Sequence, residues 1–158
     1  MTMSTDDEIA ALTARLRRLE TAEAARALTA KYALALDRKD FDALADLFTG
    51  DAVLRAGPKT CEGREAVMAF FRHALEVADP SAKKHFVVNQ RVTHTAPGEV
   101  RVDSYFLYTA VGPASVLGWG TYADVVGVDD DGRARFREKS IAVDVAADVR
   151  EGWATSPL

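Results

Sequence analysis

Lys31-Tyr32-Ala33-Leu34-Ala35-Leu36-Asp37-Arg38-Lys39-Asp40-Phe41-Asp42-Ala43-Leu44 reads as the end of one helix, a charged turn and the start of a second helix. Working outward, the chain divides into a helix-rich half and a strand-rich half. Behind Ser4 or Thr5 as a cap, Ile9, Leu12, Leu16 and Leu19 recur at spacings of three and four. That narrow stripe is either a cover for the domain's own open face or an oligomer contact. A helix starting or continuing at Thr21 runs to about 38, with Ala25, Leu28, Tyr32 and Ala35 as its buried stripe. Asp40 caps a short helix carrying Phe41, Leu44, Leu47 and Phe48. Residues 51–56 form a short strand closed by Gly57-Pro58, and residues 64–78 an amphipathic helix stopped at Asp79-Pro80.

Near residue 83 the hydrophobic period changes from about 3.6 to two. A strand over 85–92 alternates His85, Val87 and Asn89 against Phe86, Val88 and Gln90. Pro97-Gly98 turns into a strand over 99–111, and Gly112-Pro113 into one over 116–128. Asp130-Asp131-Gly132 is a hairpin signal leading to a strand over 134–145. The class is α+β, with helices packed on one face of a strongly curved, antiparallel sheet. Residues 1–158 form one domain: an N-terminal helix over 5–20, a core of about 21–145 and an unassigned tail over 146–158.

Bulk properties narrow the function. The net charge of −4 supplies no basic excess for nucleic acid. The single Cys61 excludes an intrachain disulfide and a multi-cysteine zinc site. No run approaches 18 apolar residues, and the N-terminus is polar and acidic, so neither a membrane partner nor a signal peptide is expected and the cytoplasm is the default. His73 and His94 lack metal-ligand spacing, and the acidic turn 129–131 lacks the alternating ligands of a calcium loop. No glycine-rich phosphate loop follows a strand. No metal and no cofactor are therefore expected.

Chemistry concentrates on Asp37 and His85. A helix-end aspartate is ordinarily solvated, and a strand-start histidine half in solvent. Delivered together into the concavity of a curved sheet, they make a base with its orienting carboxylate. With His85 inward, Val87 and Asn89 face the same way, an apolar wall with one amide suited to a small hydrophobic molecule. Tyr32 lies on the apolar stripe. It is either core or a phenol donating to a carbonyl or leaving oxygen, although five helical residues separate it from Asp37 by about 140°. Trp119, between Gly118 and Gly120, lines the pocket or fills core.

The order of these elements resembles the SnoaL-like branch of the nuclear transport factor two-like superfamily, a cone-shaped α+β barrel. The matching stretches are Arg-Leu-Arg-Arg-Leu-Glu (15–20), Tyr32 with Asp37, Asp40-Phe41-Asp42-Ala43-Leu44, Phe48 and Asp51-Ala52-Val53. They continue with Gly63-Arg64-Glu65-Ala66-Val67, His85, Gly120-Thr121-Tyr122-Ala123-Asp124 and the Asp131-Gly132 hairpin. Within it the chain is similar to scytalone dehydratase, bile acid dehydratase and lindane dehydrochlorinase. That resemblance implies Asp37 and His85 as the catalytic dyad, Tyr32 as a further pocket residue, and Lys139 (or Arg137) as the basic residue of the last long strand. It also implies a homo-oligomer, a trimer ahead of a dimer. The implied activity is a cofactor-independent lyase, foremost a dehydratase of a small hydrophobic cyclic, polyketide- or steroid-like compound. The alternatives are an isomerase or cyclase in the same pocket, or a non-catalytic binding or accessory subunit, such as the small subunit of an aromatic-ring dioxygenase.

Overall fold

The structure, a computed structural model, describes residues 4–152. The two N-terminal helical segments are one helix, α1 (Thr5–Arg38), of 34 residues. Ser4 and Asp7 close its start as a reciprocal capping box, and Lys39 ends it in the left-handed conformation at φ 53°. α2 (Phe41–Asp46) starts at Asp40, whose carboxylate accepts from the Ala43 amide. Phe48, expected on that helix, instead opens β1 (Phe48–Ala56). β2 (Lys59–Glu62) folds back through Gly57-Pro58. Next come α3 (Arg64–Arg72) and a π-helical segment (His73–Ala78), which together fill the expected 64–78 helix.

Four long strands complete the fold: β3 (Ala82–Ala96), β4 (Glu99–Val111), β5 (Ser115–Val128) and β6 (Ala134–Asp148). The sheet order is β2-β1-β6-β5-β4-β3. Every pairing is antiparallel except β1 with β6, which is parallel and makes the sheet mixed. Local alternation cannot announce that junction, because β1 and β6 are far apart in the chain. β6 takes up the start of the tail, to Asp148, and residues 153–158 lie outside the described residues.

The core lies between the concave face of the sheet and the helices. Leu28, Tyr32 and Leu36 of α1 meet Phe48, Leu54, Val100, Val102, Phe106, Val126 and Phe136 of the sheet, with Val67 and Phe71 of α3 closing one side. The α1 stripe therefore reads as expected from residue 22 onward. From residue 4 to 20 the helix is exposed throughout, so Ile9, Leu12, Leu16 and Leu19 do not cover the domain's own open face. No described helix is long and apolar enough to cross a membrane.

Candidate active site

Asp37 stands in the last turn of α1, where the carbonyl end of the helix dipole disfavours a negative charge. Three hydrogen bonds from one residue offset that cost. The His85 backbone N–H reaches Asp37 Oδ1 and Oδ2 at 3.1 and 3.2 Å, and the ring Nδ1 lies 2.7 Å from Oδ1. The side chains are only 6% and 11% exposed. Lys84 Nζ, at 4.0 Å from Oδ2, is 70% exposed and adds little across solvent. With the carboxylate on Nδ1, Nε2 is the ring nitrogen left open to a substrate, and among the described residues it has no hydrogen-bond partner.

Beside the imidazole runs a row of aromatic rings on the concave face. Tyr108 stacks on His85 with centroids 5.7 Å apart, Phe106 on Tyr108 at 6.4 Å, and Tyr122 on Phe106 at 4.3 Å. Gly118 and Gly120 make this row possible. A Cβ at Gly118 would fall on the Tyr108 ring, and one at Gly120 on the Ala142 carbonyl and the Phe106 ring. These glycines thus serve the rings of β4. Trp119, between them, takes the opposite face of β5, paired with Leu107 and Val145, and is half-buried there.

Tyr32 is not brought to His85. It is sealed among edge-on Phe48, Phe71, Tyr122 and Phe136 rings. Burial first, then Tyr122 and Asp124, pushes its phenol well above the ordinary tyrosine range. Tyr122, hydrogen-bonded to Tyr32, is also raised, by burial and then by Asp124.

Beneath them lies a second ion pair, which the sequence reading missed on its acidic side. Lys139 Nζ is 3.0 and 3.2 Å from the Asp124 carboxylate, and both side chains are 0% exposed. The ammonium also sits 3.9–4.6 Å from the Tyr122, Tyr32 and Phe136 ring centroids. Burial pushes Lys139 down and Asp124 up, each opposed by the other's charge. Lys139 is thus enclosed, with its donors committed. Arg137 is half-exposed and pairs with Glu99 at 2.8 Å.

Asn89 departs from its expected inward position. The β3–β4 register slips between Val88 and Arg91, Asn89 takes φ 54° and is exposed, and Gln90 occupies the inward place. Asn tolerates the left-handed region better than a branched residue, which suits it to the bulge. Gln90 then hydrogen-bonds the buried Thr29 hydroxyl. Two surface hollows, one between α1, α2 and Gly132-Arg133 and one over Thr121, Ala123, Ser140 and Ala142, include neither His85 nor Asp37.

The model of the SnoaL-like domain matches residues 17–140. No curated protein matches the sequence. Among solved structures, a candidate scytalone dehydratase of Novosphingobium aromaticivorans aligns with TM-score 0.74 at 20% identity, covering 84% of this chain and 89% of that one. Hexachlorocyclohexane dehydrochlorinase LinA-type3 of Novosphingobium barchaimii gives 0.72 at 21%, covering 84% and 92%. ActVI-ORFA of Streptomyces coelicolor gives 0.67 at 20%, covering 77% and 96%. At these identities the likeness is one of fold. With its six-stranded curved sheet, helices on one face and a family match across most of its length, the chain belongs to the SnoaL-like family of the nuclear transport factor two-like superfamily.

Proposed function

We propose that the protein is a cofactor-independent lyase, a dehydratase of a small hydrophobic cyclic, polyketide- or steroid-like compound, with His85 as its base. The observation that carries this reading is the 2.7 Å Asp37–His85 contact through Nδ1, with Nε2 unclaimed by any described residue. Nε2 takes the proton next to an electron-withdrawing carbonyl, and Asp37 stabilises the imidazolium that forms. As the carbon–oxygen bond to the β-hydroxyl breaks, the imidazolium returns its proton to the departing oxygen and water leaves. Tyr108, the partly buried ring of the aromatic row, offers apolar surface beside the imidazole to a ring-shaped substrate. Tyr108, stacked on His85, is the phenol placed to donate to the oxygen. Tyr32 is sealed, and in this reading it acts only by holding Tyr122. The dehydratase and dehydrochlorinase named among the structural neighbours support elimination as the reaction type.

The test is a panel of cyclic β-hydroxy ketones, including polyketide-like and steroid members, incubated with the purified chain and no added metal. Formation of the conjugated enone is followed by its absorbance. Turnover of at least one member, lost in His85→Ala, is the expected result. Inert behaviour toward the whole panel, or turnover unchanged in folded His85→Ala, would overturn the lyase reading and leave a binding or accessory role.

A further inference from the structure

We infer that the projecting half of α1 pairs in parallel with the same segment of another copy of this chain. This pairing does not depend on the lyase reading. Ile9, Leu12, Leu16 and Leu19 are 57%, 61%, 55% and 68% exposed, although they sit on a well-capped helix. At 100° per residue the stripe points about 160° away from the face that Ala22, Ala25, Leu28, Tyr32 and Leu36 use against the sheet. One helix therefore carries two apolar faces, and only the second is used within the chain.

The spacing and charges select the occupant. Ile9 and Leu16 fall at a, and Leu12 and Leu19 at d, the seam of a coiled coil. On that heptad Arg15 is at g and Glu20 at e, the two positions that meet between parallel helices when g of one copy faces the next e of the other. Among the described residues neither forms an ion pair within the chain. Antiparallel pairing of the same stripe would set Arg15 against Arg15 and Glu20 against Asp6 of the other copy, both repulsive. Because α1 is continuous with its buried half, the segment is already helical and little ordering opposes association.

The mass of the full chain in solution, by light scattering at micromolar concentration, tests this. Two or three chain masses are expected, falling to one in Leu12→Glu/Leu16→Glu with the far-UV spectrum retained, since both positions are exposed in the single chain. Arg15→Glu should weaken association on the order of tenfold, and adding Glu20→Arg should restore it. In a Cys61→Ser background, Leu12→Cys should form a symmetric disulfide under mild oxidation, because d faces d only in the parallel arrangement. A wild-type monomer, an oligomer untouched by the two glutamates, or a Leu12→Cys chain that fails to cross-link would each overturn the inference.

Discussion

Two pairs of a carboxylate and a basic side chain face the same concave sheet and are built in opposite ways. Asp37–His85 joins a helix end to the start of β3, and its basic partner is an imidazole that meets the carboxylate through only one of its two ring nitrogens. Asp124–Lys139 joins neighbouring strands, has no exposure, and is capped by three aromatic rings. The first leaves one nitrogen uncommitted; the second commits its charges to one another. Tyr122 lies between them, stacked on the row that begins at His85, with its phenol raised chiefly by burial and Asp124 and, in smaller part, by Asp37. The contrast teaches that charge in a cone-shaped core has two uses, and that access separates them. Under the proposed function the less enclosed pair works on substrate, while the sealed pair ties β5 to β6.

The comparison breaks most easily at the sealed pair. Lys139→Ala should cost about 3–5 kcal/mol in urea unfolding, since it leaves Asp124 charged and unpartnered in the core. Replacing both partners together, Asp124→Leu with Lys139→Met, should recover most of that loss. A stable Lys139→Ala protein would show that the pair is not sealed. Gly120→Ala comes next, at about 1–3 kcal/mol, because the new Cβ meets a backbone carbonyl that cannot swing away. Gly118→Ala meets only the Tyr108 ring, so it should cost less stability and shift that ring off His85. A thermal melt of the two variants would show the order. Smallest is Tyr32→Phe, expected to lose about 1 kcal/mol with the Tyr122 hydrogen bond while keeping its ring packing. It should leave turnover near wild type. A large loss of turnover in a stably folded Tyr32→Phe would mean that the phenol reaches substrate after all.

The helices, the long strands and the Asp37–His85 meeting were legible because each rests on local pattern or on element order. What escaped depends on register. Counted back from the Asp131-Gly132 hairpin, Val128 pairs Ala134 and Val126 pairs Phe136, and the same count would set Asp124 opposite Glu138. The register shift after Val126, which passes over Arg137, turns Lys139 onto Asp124 instead. The bulge at Asn89 likewise exchanges Asn89 for Gln90 on the concave face. One extra residue reverses every side chain beyond it, and nothing in a period-two pattern marks where it falls. The glycines flanking Trp119 misled for a related reason. Their effect is felt by the rings across the ladder, at Tyr108 and Phe106, rather than by the neighbour in sequence.

The most direct measurement is a double-mutant cycle on turnover of a confirmed substrate by wild type, His85→Ala, Asp37→Asn and the double variant, at matched folded fraction. Matching is needed because Asp37 also holds the β3 backbone through the His85 amide. His85→Ala is expected to lower turnover by roughly 10²-fold or more. Asp37→Asn should do nearly as much harm, and the double variant should be little worse than either, since the pair acts as a unit. Losses that simply multiply, or near-wild-type turnover in His85→Ala, would contradict the assignment of His85 and Asp37 as the working pair.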